Sequence, residues 1–159
     1  MIDNLRLYES QAINVTWAGI DLSTGWSDDT FLTITPRADR VTARAGADGQ
    51  YGYSKIADKG CDIVLTLQQT SPTYDKVVNK LAAQTVTGAS LTKAPFTITD
   101  PHGNIKFVAL FAVITKEPEV SFAAESGDIE FTWTSSTYIS SENPSSILSE
   151  ITKFTGLLL

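Results

Sequence analysis

The sequence predicts a mainly β protein built from many short strands, with one sustained helix. Three observations carry this. Thr is abundant, and Val, Ile, Phe, Tyr and Trp come in short bursts, the composition that suits a pleated, half-buried backbone. Clusters of Gly, Pro, Asp and Ser separate these bursts at turn-like spacing. One long stretch, after Ser71-Pro72, keeps helical spacing over several turns.

The elements follow in order. Asn14 to Trp17 forms a strand, and Ala18-Gly19 turns it back into Ile20 to Leu22. Phe31 to Thr35 alternates apolar with polar and is closed by Pro36. Arg40 to Arg44 and Tyr51 to Ser54 flank Ala45-Gly-Ala-Asp-Gly-Gln50, where Asp48-Gly49 signals a hairpin because Gly takes the positive φ such turns require. Cys61 to Gln68 places Cys61, Ile63, Leu65 and Leu67 on one face and Asp62, Val64, Thr66 and Gln68 on the other. Ser71 caps the helix, Pro72 suits its first position and Gly88 ends it. Tyr74, Val77, Val78, Leu81, Ala82 and Thr85 make its apolar stripe. Pro95 to Thr99 leads into the turn Asp100-Pro-His-Gly-Asn104. Ile105 to Ile114 returns as a strand covered on both faces, and Pro118 breaks the chain before a strand at Val120 to Phe122. Ile129 to Thr134 sets Ile129, Phe131 and Trp133 against Glu130, Thr132 and Thr134. Beyond Ser135 a Ser-rich linker precedes a short helix from about Pro144 to Phe154. That helix is striped by Ile147, Leu148, Ile151 and Phe154 and followed by Leu157, Leu158 and Leu159.

Composition excludes several function classes. Charged residues are 19% of the chain, below the roughly 25% usual for soluble domains, which suits a surface partly covered by partners. Twelve basic against eighteen acidic residues give a net charge of −6, so the chain lacks the basic surplus that grips phosphate. Cys61 is the sole cysteine and His102 the sole histidine, which removes intrachain disulfides, thiolate metal sites and any site needing two histidines. The N-terminus has no basic stretch before a long apolar run, and the longest apolar run, Phe107 to Ile114, has eight residues against the roughly 20 of a spanning helix. The expectation is a protein made in a cytoplasm that stays soluble or assembles there, with no membrane partner.

No enzyme emerges from the candidate residues. His102 reads as an exposed turn residue without a nucleophile beside it. Cys61 reads as a small buried hydrophobe. Asp28-Asp29 and Glu117/Glu119 read as solvated loop carboxylates without the spacing of a calcium loop. Gly46-Ala47-Asp48-Gly49 lacks the Lys-Ser/Thr of a phosphate loop and leads into a strand. No cofactor and no metal is expected.

Several stretches in fixed order carry a resemblance. They are Asn14-Val-Thr-Trp-Ala-Gly19, Gly25-Trp-Ser-Asp-Asp29, Ala45-Gly-Ala-Asp-Gly49 with Ser54, and Leu65-Thr-Leu-Gln-Gln-Thr-Ser-Pro72. Pro95-Phe96 through Asp100-Pro-His-Gly103 and Pro118-Glu-Val-Ser-Phe122 ending near Trp133 complete it. In these the chain resembles the tail-tube proteins of contractile-tailed bacteriophages, over roughly residues 8 to 135. The resemblance implies a β-sandwich or barrel with one flanking helix over residues 1–135. The segment over residues 136–159 goes beyond that pattern, and its apolar stripe and terminal leucines read as a docking extension. It also implies six copies to a ring, rings stacked into a hollow tube inside a contractile sheath, and DNA passing through without specific binding. Sheath, baseplate and terminator proteins are the implied partners, and a virion assembled in host cytoplasm is the implied place.

Three surfaces are expected to matter. Arg44, Gly46, Ala47, Asp48, Gly49, Gln50, Tyr51 and Tyr53 form a projecting hairpin that contacts the next ring. Asp62, Thr66, Gln68, Glu130, Thr132 and Thr134 face the bore. Ile147, Leu148, Ile151, Phe154, Leu157, Leu158 and Leu159 dock in an apolar groove, on an adjacent subunit or on the Pro72–Val86 helix of their own. The alternatives are another ring-forming tail component (a terminator, an initiator or a baseplate-proximal tube protein) and a carbohydrate-binding β-sandwich module. Against the last, Trp17, Trp26 and Trp133 are scattered over different elements. A small esterase or lysozyme-like enzyme lacks a site.

Overall fold

A computed structural model describes residues 9–88, 92–100 and 106–141. After a 3-10 turn at Ser10–Ala12 come β1 (Asn14–Trp17), β2 (Ile20–Asp21), β3 (Leu32–Pro36), β4 (Val41–Ala45), β5 (Tyr51–Lys55) and β6 (Cys61–Gln68). They are followed by α1 (Pro72–Thr87), β7 (Ala94–Thr99), β8 (Lys106–Lys116), β9 (Asp128–Ser135) and β10 (Thr137–Ser141). Every pairing between these strands is antiparallel, in the hydrogen-bonded order β2-β1-β7-β8-β9-β6-β3, with β10 on β8.

One strand joins two faces of a sandwich. The first half of β8 lies between β7 and β10, and its end pairs with β9. Between them Ala94 pairs with Ala112 but Phe96 with Ala109, so Leu110 and Phe111 oppose Pro95 alone. This is a β-bulge, and Phe111 takes φ 57° within it. Pro95 fits there because the ladder asks no N–H of it. The bulge corrects the expectation of a strand covered on both faces: Phe111 is turned outward, 41% exposed.

The core fills the space between the two faces. Val15, Trp17, Phe96 and Ile98 come from β1 and β7; Ile63, Leu65, Leu67, Phe131 and Trp133 come from β6 and β9. Trp133 meets Trp17 edge to face at 5.6 Å and Phe96 at 5.1 Å between ring centroids, the geometry aromatic quadrupoles favour. α1 closes one end, with Val77 buried and Tyr74 against Phe131 at 6.0 Å. Its capping is as read from sequence: Ser71 Oγ accepts from the Thr73 N–H, Pro72 opens the helix and Gly88 ends it at φ 62°. Its stripe is shorter than expected, since Ala82 and Thr85 are exposed.

The turn read at Ala18-Gly19 is present, with φ of 52° and 77°. Other differences have plain causes. Pro36 is the last residue of β3 rather than a stop after it, because β3 is an edge strand and its outward side needs no N–H. Val120 to Phe122 belongs to a loop, not a strand, and Phe122 is 92% exposed. The stretch from Thr137 to Ser141 is β10, not a linker. Its Tyr138 stacks on Phe107 at 5.5 Å, so apolar cover outweighs the local Ser content. His102 and the apolar stripe from Ile147 to Leu159 lie outside the described residues.

Candidate assembly surfaces

The first surface is the β4–β5 hairpin. It forms a two-stranded sheet of its own, and all ten strand residues are exposed. The turn is local chemistry: the Gly46 N–H donates to Gln50 O at 2.7 Å, the Gly49 N–H to Gly46 O at 3.0 Å, and the Gln50 N–H to Asp48 Oδ1 at 3.2 Å. Gly49 sits at φ 84°, where a side chain would be strained. Pairing of Val41 with Lys55, Ala43 with Tyr53 and Ala45 with Tyr51 puts these six on one face and Thr42, Arg44 and Ser54 on the other. Tyr51 and Tyr53, 65% and 73% exposed, stack at 6.4 Å.

The second surface is the outer face of β3, β6 and β9. Register pairs Asp62 with Thr134, Val64 with Thr132 and Thr66 with Glu130, so the alternation that buries Ile63, Leu65, Phe131 and Trp133 turns these outward together. Thr134 Oγ1 donates to Asp62 Oδ1 at 2.9 Å, and Arg37 Nε lies 3.9 Å from Asp62 Oδ2. Gln68 also lies here, with its side-chain amide donating to Trp26 O at 3.1 Å. Thr33 and Thr35 of β3 join the face, opposite Val64 and Asp62. They were missed, although the alternation of Phe31 to Thr35 already marked them as outward.

At one end of this face lies a shallow trough of about 670 Å³. Asp28, Asp29, Glu117, Glu119, Asp128 and Glu130 line it, with Lys116. Its rim is held by Ser27 Oγ donating to Asp128 Oδ2 at 2.7 Å and by Gln69 Nε2 donating to Ser121 O at 3.3 Å. Among the described residues no three His, Cys, Asp or Glu side chains are placed to hold a metal ion, and no helix is long and apolar enough to cross a membrane. Cys61 is buried, and burial with the neighbouring Asp62 charge pushes its thiol from 9.0 up to about 11, the opposite of what a nucleophile needs.

The family model for the bacteriophage PhiTE tail tube protein matches residues 10–139. The chain belongs to that tail tube family. Membership makes it a structural component of a phage tail. The match runs through β9 into β10, so the Ser-rich stretch after Ser135 is part of the family's domain at least to Ile139.

Two solved structures share the fold of the chain. The chain is similar to the tube-terminating cap of the anti-feeding prophage at 12% identity and TM-score 0.54, over 89% of this chain and 95% of that one. It is similar to a chain of an extracellular contractile injection system, the PVC sheath/tube terminator in its extended state, at 10% identity and TM-score 0.55, over 87% and 99%. The PVC sheath-tube complex gives 12% identity and TM-score 0.48, over 82% and 88%. No curated protein sequence matches the chain.

The glycine at position 25 has a local reason. Gly25, at φ 75°, packs so close to the helix cap that a Cβ there would lie 1.8 Å from Ser71 Oγ. The Gln68 N–H donates to Gly25 O at 2.8 Å, and Ser71 Oγ donates to Thr24 O at 3.2 Å. The following Trp26 stacks on Phe31 at 4.2 Å and donates from Nε1 to Leu22 O at 2.7 Å. This knot ties the loop leading into β3 to the start of α1.

Proposed function

We propose that the chain assembles as hexameric rings, stacked into the tail tube that conducts DNA inside a contractile sheath, and that it catalyses no reaction. One observation carries the reading. The β3–β6–β9 face is polar on its outer side and apolar on its core side, and among the described residues β3 has no strand on its far edge. The main chain of Phe31 and Arg37 points at β6, through Thr66 N–H to Phe31 O at 2.8 Å and Arg37 N–H to Gly60 O at 3.1 Å. By antiparallel alternation the main-chain groups of Leu32 and Ile34 point away from it. An open edge of this kind invites a neighbouring strand, and closure into a ring removes it. The outward face then lines the bore with Asp62, Thr66, Gln68, Glu130, Thr132 and Thr134. A wall of hydroxyls and carboxylates offers phosphate no grip.

In this reading the β4–β5 hairpin contacts the next ring, and the extension beyond Ser141 docks on an adjacent subunit; assembly takes place in host cytoplasm with sheath, baseplate and terminator partners. Negative-stain microscopy of purified protein tests it: rings or hollow tubes are expected, and a monomer at every concentration overturns it. A second reading, a ring that terminates the tube, draws on the likeness to the tube-terminating cap and to the sheath/tube terminator. Copy number per virion separates the two: many rings for a tube protein, one for a terminator.

A further inference from the structure

The outer polar sheet has two poles of opposite character. β3 ends at Pro36 beside Cys61, and from there the hairpin departs; β6 then runs to Gln68, opposite Asp128. At a strand's rise the two poles stand about 23 Å apart. At the hairpin pole Arg40, Arg44 and Lys55 stand against Asp48 alone within residues 40–55, although the chain as a whole carries −6. At the other pole six carboxylates line the trough with one lysine. Most of the exposed large apolar side chains among the described residues divide the same way. Val41, Tyr51 and Tyr53 are on the hairpin, and Val120 and Phe122 are in the loop that borders the trough, while Val86 stands on α1 and Phe111 at the β8 bulge. Charge and apolar surface are thus complementary between two ends that cannot reach each other within one chain.

We infer that these poles are the two halves of one head-to-tail interface between copies of this chain: the basic, tyrosine-bearing hairpin of one copy seats on the acidic trough and its Val120–Phe122 loop in the next. This rests on the ring-stack reading and names the surface that receives the hairpin. A heterologous contact of this type propagates without limit, which gives stacking its polarity. It also explains why exposed tyrosines and an exposed Phe122 persist on a chain that would otherwise present them to water. The trough left open at a growing end repels a second acidic surface and attracts the hairpin, so charge selects the correct end during encounter.

Charge reversal tests the pairing. All four residues used are exposed, so the variants should melt like the parent chain. Arg40→Glu with Arg44→Glu should raise the protein concentration needed for tubes at least about tenfold, since like charges then face each other. Adding Glu117→Lys and Glu119→Lys to the same chain should bring it back to within about threefold of the parent. As a second measurement, the hairpin-reversed chain and the loop-reversed chain, each unable to grow alone, should form tubes when mixed. Tubes from the hairpin-reversed chain at the parent concentration, or no recovery in the fourfold variant and the mixture, overturn the inference while leaving the ring-stack reading intact. A parent chain that forms neither rings nor tubes overturns that reading and this inference together.

Discussion

Trp17 and Trp133 occupy the same core, both essentially without solvent exposure, yet their indole nitrogens differ. Trp17 Nε1 donates to Ala112 O at 3.0 Å, whereas Trp133 Nε1 is buried with no acceptor. Substitution by Phe removes similar volume from each. At Trp17 it also breaks the bond to the Ala112 carbonyl, and at Trp133 it removes an orphaned donor, each worth about 1 kcal/mol or more. Trp17→Phe should therefore cost at least about 2 kcal/mol more than Trp133→Phe by chemical denaturation; equal costs would contradict the difference in bonding. The alternation that buries both side chains was legible in the sequence. The missing acceptor was not, because it depends on which carbonyl of another strand falls beside the ring. Cys61 gives a pH test. Its folded thiol, raised to about 11 from 9.0, keeps its proton where the unfolded thiol loses it. The folded state then binds more protons, so stability falls as pH rises between 9 and 11. Melting curves across that window should drop more steeply for the parent than for Cys61→Ala, and parallel curves would show that Cys61 is not the cause.

Among the elements, β6 was read with its correct bounds and α1 to within one residue, because each carries its own signals: strict alternation in one, Ser71-Pro72 and Gly88 in the other. β10 was missed because its local composition is that of a linker, and its strand character comes from β8 and the Tyr138–Phe107 contact. The bulge at Phe111 was hidden for a similar reason, since register against β7 exists only in the fold. The free edge of β3 makes a prediction at this scale. The outward-pointing Ile34 amide should exchange rapidly with deuterium in the monomer and become protected at least about 100-fold on assembly, because a neighbouring strand would then take it up. Unchanged exchange in assembled protein would exclude β3 as the lateral edge. The hairpin makes another. Deleting Ala47 to Gln50 removes only exposed residues, so the melting temperature should hold while tube growth stops. Normal tubes from the deletion would move the inter-ring contact elsewhere.

For the whole molecule, the acidic balance was plain in the composition but its placement was not. The fold gathers six carboxylates at one end of the polar sheet and sets Asp62 and Glu130 on its face, with Arg37 near Asp62. If that face lines a bore, the paired substitution Asp62→Lys and Glu130→Lys turns two repulsive positions in every subunit into attractive ones. Neither change needs to disturb the fold. Asp62 is partly exposed, Glu130 is exposed, and the ion pair of Asp62 with Arg37 is long and open to water, a kind that contributes little to stability. Glu130 also lines the trough, but five other carboxylates remain there, so particles built from the variant should still carry tubes. DNA leaving through them would meet rings of lysine, and each phosphate contact displaces counterions, so the retardation should be strong in dilute salt and fade as salt rises. At about 0.01 M salt, screening extends over some 30 Å, against about 10 Å at 0.1 M, which makes the dilute condition the sensitive one. The expected result is slower ejection at low salt that recovers toward the parent rate at high salt. Ejection at the parent rate even at low salt would mean that Asp62 and Glu130 face away from the DNA, and the sheet that lines the bore would have to be the one built on β1 and β7 instead.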